Sequence, residues 1–369
     1  MRICVVSTPV FRLTQTGAAG YSGLEHIAWQ CATGLAAKGH TVALVAPDGS
    51  EAPGCEVIPC GPEQGIDELS AFQRYQHRLA EYVCVLEHSW LKTAYLGKLD
   101  GSLKAPVLGV MHAPVHTMYR TWPPQYQGVE PLHGACPVCI SQDQANHFEA
   151  LHGHTARVCH NGVDGDFYQS LGLPRSRRFL FLARFSKVKS PDLAMRVALA
   201  AGVGLDLVGD TSITGEPDYL QQCQALARQQ SPDWKGPGPQ LVIHGGCSRG
   251  EAVHWYSQAH AFLHLCPTFR EPFGLAPVEA QLCGLPVVAW RLGAVRETVP
   301  HGEQSFVEDA PGHLVGSFDE AVLAVKTLAS ATLDVRQRQH VRRLALRFSV
   351  QRMVDRYEEL CQEALARPW

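Results

Sequence analysis

The sequence predicts an α/β protein of two Rossmann-like domains facing a cleft, and three observations carry that prediction. The chain has 369 residues, enough for two cores of ordinary size. Short apolar strand patterns alternate with amphipathic helix patterns along its whole length, as in chains that build parallel sheets. The strand–loop–helix series then starts afresh at Phe179, after a Gly/Pro/Arg-containing stretch at 169–178. The expected domains are 1–168 and 169–350, with a last helix over 351–369 packing back on the first.

In the first half, Ile3 to Ser7 is an apolar strand, and a polar Gly-rich loop runs from Thr14 to Gly23. The following helix carries Leu24, Ile27, Ala28, Cys31 and Leu35 on one face. Ser22 and Glu25 form a capping box at its start. Gly39 lies just past its end, and Thr41 to Ala46 is the next strand.

The second half repeats this logic. Phe179 to Ala183 is a strand, and Ser190-Pro191 reads as an N-cap followed by proline at the first helical position. That helix runs to Gly202, and Leu205 to Val208 is the next strand. Ser248 and Glu251 form a second capping box, and Phe262 to Leu265 is the strand after its helix. Gly274 to Cys283 is a helix ended by Gly284, before a strand at Val287 to Ala289. The last helix has an apolar face at Met353, Val354, Tyr357, Leu360 and Ala364.

Composition excludes several classes. A hydrophobic fraction of 46% with 18% charged residues describes a globular chain, not a disordered one. A formal charge of -3 gives no general attraction to nucleic acid or to anionic membranes. Every apolar stretch is broken before it reaches membrane-spanning length; Arg196 and Asp206 interrupt the longest, from Leu193 to Val208. No signal region follows Met1. The expectation is a cytoplasmic protein with at most peripheral membrane contact and no nucleic-acid partner. The 13 cysteines are odd in number and scattered, mostly within apolar runs, as reduced thiols are. Cys136-Pro137-Val138-Cys139 has a metal-like spacing but no second pair, so no metal site is expected.

The segment richest in chemistry is Arg270-Glu271-Pro272-Phe273-Gly274-Leu275-Ala276-Pro277-Val278-Glu279-Ala280. Two carboxylates straddle a helix start, where the amides near Gly274 and Leu275 have no intrahelical acceptor and the helix dipole is positive. A diphosphate suits that position, and Gly274 lets it approach the backbone closely. Glu279, one turn into the helix, can accept both hydrogen bonds of a ribose diol. Glu271, before the helix, is placed to meet a sugar beyond the phosphates. As single residues, either glutamate would be read as favouring the helix N-terminus electrostatically; the whole string points further. Ala183-Arg184-Phe185-Ser186-Lys187-Val188-Lys189-Ser190 follows a strand and offers two cations, Arg184 and Lys189, to a diphosphate leaving group. Taken alone, it is equally a solvated basic loop.

The Glu271–Glu279 string, with Cys283-Gly284-Leu285-Pro286-Val287-Val288-Ala289 after it, closely resembles the retaining glycosyltransferases of family 4 (glycosyl transferases group 1), which have the GT-B fold. The resemblance implies that Glu271 contacts the donor sugar, that Glu279 binds the ribose, and that Phe273, Gly274 and Leu275 belong to the donor-binding stretch. It also implies that Arg184 and Lys189 hold the donor phosphates, although Ala183 and Ser190 stand where the family usually has glycine. In the first half, Gly23 is what remains of a family Gly-Gly-x-Glu turn that approaches the donor. His112, after the apolar run Val107 to Val110, resembles the family's cleft histidine that contacts the transferred sugar. Ile140-Ser141 and Asn161-Gly162-Val163-Asp164 with Phe167 are further landmarks. Asp164-Gly165-Asp166 has the look of a metal motif, but the family uses this turn structurally.

The resulting expectation is retaining transfer of a hexose from a nucleotide-diphosphate sugar, UDP-linked, to a carbohydrate, lipid-linked or small-molecule hydroxyl. No cofactor or metal is expected. Met118 to Pro137, with Tyr119, Trp122 and Tyr126, is a candidate acceptor wall or an ordinary surface loop. Three rivals stand beside this reading: a dehydrogenase, for which the chain lacks G-x-G-x-x-G; a GT-B sugar-nucleotide epimerase; and a non-catalytic sugar-nucleotide-binding protein.

Overall fold

The computed structural model describes residues 1–14, 17–18, 23–115, 135–170, 172, 175–211, 216–301 and 312–366. Two compact units emerge. The first comprises Met1–Gly162 together with Phe348–Trp369, and the second Val163–Arg347.

In the first unit, β1 (Arg2–Val6) is followed by a short antiparallel pair, β2 (Leu13–Thr14) and β3 (Gly17–Ala18). Then come β4 (Thr41–Ala46), β5 (Cys55–Pro59), β6 (Cys84–Glu87), β7 (Val107–Met111), β8 (Cys136–Cys139) and β9 (Arg157–Val158). The main sheet has the order β5-β4-β1-β6-β7-β8-β9 and is parallel throughout. Its strands are apolar on both faces because helices cover both. Cys4, Val6, Val45, Val85 and Met111 lie in that core with Phe72, Tyr75 and Phe148 from the helices.

The last helix, Val350–Ala366, belongs to this unit. Its buried face is Met353, Val354, Tyr357, Leu360, Cys361 and Ala364. A side chain at Gly34, on the helix Gly23–Ala37, would meet Val354 at 2.4 Å, so the two helices approach over a glycine. Lys38 pairs with Asp355 at 2.6 Å and His40 with Glu358 at 2.7 Å along the same seam.

The second unit holds β10 (Phe179–Leu182), β11 (Leu205–Val208), β12 (Leu241–His244), β13 (Phe262–His264), β14 (Val287–Trp290) and β15 (Gly312–Val315). Their order is β12-β11-β10-β13-β14-β15, again all parallel. Phe179, Phe181, Leu205, Leu207, Leu263 and Val288 form its core with Met195, Val197 and Val325.

Sequence and structure differ in places. The passage between units falls at Gly162/Val163, ahead of the 169–178 stretch, because Tyr168 is fully buried in the second unit. Arg342 also donates to the carbonyls of Gly165 and Tyr168 there. Ser190 does precede the helix Pro191–Ala201, but in the left-handed conformation (φ 50°), and its hydroxyl donates to Lys187 O at 2.9 Å instead of capping. Ser248 and Glu251 make the expected reciprocal cap. Cys136 and Cys139 are three residues apart on β8, so their side chains point to opposite faces of the sheet. Asp164 accepts the amides of Asp166 (2.9 Å) and Phe167 (3.0 Å), which makes it a turn former. Ser22, Tyr119, Trp122 and Tyr126 lie outside the described residues.

Candidate active site

In each sheet, successive strands first step one way and then the other, so neighbouring connections diverge at one point. That point lies between β1 and β6 in the first unit and between β10 and β13 in the second. Open parallel sheets bind ligands at the carboxyl ends of the strands where this reversal occurs. Seven of the nine site residues expected from sequence lie in the second unit, on segments that leave β10 and β13. Gly23 and His112 lie in the first.

The loop after β10 carries Arg184 and Lys189; the segment after β13 carries Glu271. The structure brings the last two together: Lys189 Nζ lies 2.5 Å from Glu271 Oε2. The same oxygen accepts a second hydrogen bond from His264 Nε2 at 3.1 Å. Cys266 completes the group, its thiol 3.8 Å from His264 Nε2 and donating to Lys189 O at 3.6 Å. Lys189 also lies 4.8 Å from the Phe269 ring centre. Burial would push the Glu271 carboxyl up, but the Lys189 ammonium and the His264 imidazolium outweigh it and hold the group well below the usual carboxylate range. Burial likewise opposes charge on His264, yet Cys266 and Glu271 outweigh it and raise the imidazole to about 9.

Glu271 is held from its backbone side as well. It forms an isolated parallel bridge with Gly293, and the Ala294 amide donates to Glu271 O at 2.8 Å. Gly293 has φ +82°, and a Cβ there would come within 2.6 Å of the Glu271 amide nitrogen. Glycine is required on both counts.

The helix Leu275–Leu282 begins immediately after Gly274, which sits at its N-cap with φ 87° and makes no side-chain cap. Phe273 is buried behind it, its carbonyl accepting from the Thr298 hydroxyl at 3.2 Å. Leu275 is half-buried at the helix start. Glu279 is buried one turn on and accepts the Tyr256 hydroxyl at 3.0 Å. Beside it, Arg249 lies over the rings of Phe167 (5.1 Å) and Tyr168 (5.5 Å). Arg184 is exposed and makes no ion pair among the described residues.

Chemically, the arrangement offers positive charge and N–H donors to an anion, with a carboxylate beside them. An exposed guanidinium and an ammonium with spare donors stand on the loop beyond β10, on the strand side of a helix start that opens at a positive-φ glycine. Among the described residues, His264, Cys266 and Glu271 also form a trio whose ligand atoms lie within 4.8 Å of one another. The Glu271 oxygen in that trio already serves Lys189 and His264.

In the first unit, Gly23 opens the helix Gly23–Ala37. Glu25, expected as a cap, is buried and accepts the Thr8 hydroxyl at 2.5 Å, tying the helix start to the segment leaving β1. His112 follows β7, half-buried, with Nε2 2.8 Å from His88 Nδ1. Sequence reasoning missed His264, Cys266, Tyr168, Tyr256, His88 and Gly293. The only local signal was a histidine closing an otherwise apolar strand, as His264 closes β13 and His88 follows β6.

Comparison with solved structures identifies the fold as GT-B. The chain aligns over 99% of its length, and 98% of the other chain, with AviGT4, a glycosyltransferase involved in avilamycin A biosynthesis, at TM-score 0.69 and 22% identity. HepE of Anabaena in complex with UDP-glucose aligns over 98% of this chain and 100% of its own at TM-score 0.72 and 17% identity. The family follows from sequence. Residues 21–167 match Glycosyltransferase Family 4 and residues 167–328 match Glycosyl transferases group 1, so the chain belongs to the family 4 glycosyltransferases. The D-inositol 3-phosphate glycosyltransferase of Mycolicibacterium smegmatis is 25% identical over 412 residues, covering 99% of this chain and 93% of the relative. The same-named enzyme 1 of Catenulispora acidiphila is 28% identical over 309 residues, covering 73% and 71%.

Two outcomes are expected. Gly293→Ala forces either strain at positive φ or displacement of Glu271; thermal unfolding should show a loss of about 1–3 kcal/mol, and wild-type stability would contradict the backbone constraint. His264 has a folded pKa raised above its ordinary value of 6.5 to about 9, so its stabilising contribution is complete below about 6.5 and fades as pH rises through about 9. The stability gap between wild type and His264→Gln should therefore shrink from pH 7 to pH 10; a gap that widens would refute the imidazolium assignment.

Proposed function

We propose that this glycosyltransferase moves a hexose from a nucleotide-diphosphate donor, UDP-linked, to an acceptor hydroxyl, with retention at the anomeric carbon and without a metal ion. The observation that carries the reading is the Lys189–Glu271–His264 arrangement at the strand reversal of the second unit, with the open helix start at Gly274 following on the same segment. Lys189, Arg184 and the amides at Gly274 and Leu275 stabilise the diphosphate as it gains charge, the part a divalent cation would otherwise take. Lys189 spends one of its three donors on Glu271, which leaves two for phosphate oxygens.

Glu271 is unsuited to attack the sugar. A carboxylate held ionised between two cations is a weak base and a weak nucleophile, but a good acceptor for sugar hydroxyls. The acceptor oxygen instead attacks the anomeric carbon from the face the nucleotide leaves. The C1–O bond to phosphate breaks, UDP departs with the electron pair, and a phosphate oxygen takes the hydroxyl proton. Glu279 accepts from the ribose diol, and His112 contacts a sugar oxygen. Two relatives are named for inositol 3-phosphate, so a phosphorylated polyol heads the acceptors to test, before other carbohydrate, lipid-linked or small-molecule hydroxyls. The protein acts in the cytoplasm; no helix among the described residues is long and apolar enough to cross a membrane.

Incubation with a panel of labelled nucleotide sugars and acceptors tests the reading. Transfer with retained anomeric configuration, unaffected by EDTA, is expected. Lys189→Ala should lower kcat by about 100- to 1000-fold, or about 2.7–4 kcal/mol. Inverted products or loss of activity on chelation would contradict the mechanism. Epimerised donor, or binding without turnover, would replace the transferase reading with one of its rivals.

A further inference from the structure

Two histidines stand together where the first sheet reverses. His88 follows β6 and is fully buried, its amide donating to Val6 O at 2.8 Å. His112 follows β7 and is half-buried. His88 Nδ1 and His112 Nε2 are 2.8 Å apart, with the rings stacked at 5.1 Å and 28°. His88 Nε2 is buried without a hydrogen-bond partner among the described residues. The Tyr357 ring lies against His88 at 5.7 Å, and Lys92 is the charge that faces both imidazoles.

Burial, and then the Lys92 charge, lower His88 to about 3. Burial, then His88 and Lys92, push His112 well below its ordinary range. Both rings are therefore neutral near pH 7, and each carries one proton. A single N–H lies on the line between them, and the two ways of placing it are unequal. If His112 donated from Nε2, His88 would have to carry its proton on its own Nε2, a buried N–H with no acceptor among the described residues. Such an orphan donor bears the full cost of its lost hydration. If His88 donates from Nδ1, only a bare lone pair is left on Nε2, and unpaired acceptors are better tolerated than unpaired N–H groups.

We propose that His88 is a positioning residue that fixes His112 as the Nδ1–H tautomer, so that His112 offers the ligand a neutral hydrogen-bond donor and not an acceptor. The group it would meet is then an oxygen that can accept, such as a sugar hydroxyl or ring oxygen. The ligand rests on the transferase reading above; the tautomer does not.

Nitrogen-15 NMR of the histidine side chains in the 369-residue chain tests the assignment, because the protonated and bare nitrogens of a neutral imidazole differ widely in shift. The His112 signals are identified by their loss in His112→Gln. Wild type should show the proton on Nδ1. His88→Asn places an amide donor close to where Nδ1–H stands and should keep that tautomer, with kcat/KM within about threefold of wild type. His88→Asp has nearly the same shape but only accepts, so it should move the His112 proton to Nε2 and lower kcat/KM by roughly 100-fold, the scale of losing one oriented donor. A wild-type His112 carrying its proton on Nε2 would overturn the proposal, as would an Asn variant that shifts it there. Should the Asp variant not fold, the wild-type and Asn spectra decide. If no donor is turned over while the Nδ1 proton is found, the tautomer assignment stands and the transferase reading falls.

Discussion

One buried carboxylate, Glu271, organises the second unit's site. It must stay ionised in a place that disfavours charge, and it does so because Lys189 and His264 converge on one of its oxygens from two different strand ends. The loop after β10 supplies the ammonium and the end of β13 supplies the imidazole. Only a parallel sheet in which β10 and β13 are neighbours brings them together. Removing either cation leaves a poorly compensated buried charge, which costs far more than a surface ion pair contributes. The geometry of the loop, the strand end and the helix start is thus tied to one electrostatic balance. The Gly293 bridge fixes the same residue from its backbone side, so Glu271 is constrained at both ends.

Much of this was legible in the sequence because the relevant signals are local. A strand followed by two cations, and a glycine before a helix that carries Glu279, are each readable within a few residues. The strand pattern was equally plain: Thr41–Ala46 and Leu205–Val208 emerge with the bounds their apolar runs imply. What the sequence hid was tertiary. His264 looks like any polar residue closing an apolar run, and nothing local tells that it meets Glu271. Gly293 reads as an ordinary loop glycine until its φ and its contact with Glu271 are seen. The sequence also gives no sign of the bond between Glu25 and Thr8, which joins two segments. The polar 169–178 stretch reads as the passage between units, while Tyr168, just before it, is already buried in the second unit.

The departures from the family pattern also acquire a physical meaning. Ser190, where the family usually has glycine, adopts φ 50°, a conformation glycine enters freely and other residues enter at a cost. The chain enters the helix Pro191–Ala201 through a serine whose hydroxyl bonds back to Lys187. The histidine pair of the first unit follows a comparable principle: a buried polar group without a charge partner constrains where a proton can sit, and thereby what its neighbour can bind.

The most direct test of the central claim is a crystal structure of the chain with UDP. The diphosphate is expected against Lys189, Arg184 and the amides at Gly274 and Leu275, with the ribose hydroxyls on Glu279 and Glu271 still bonded to Lys189 and His264. UDP bound elsewhere, or a Glu271 carboxylate turned away from both cations, would contradict the account.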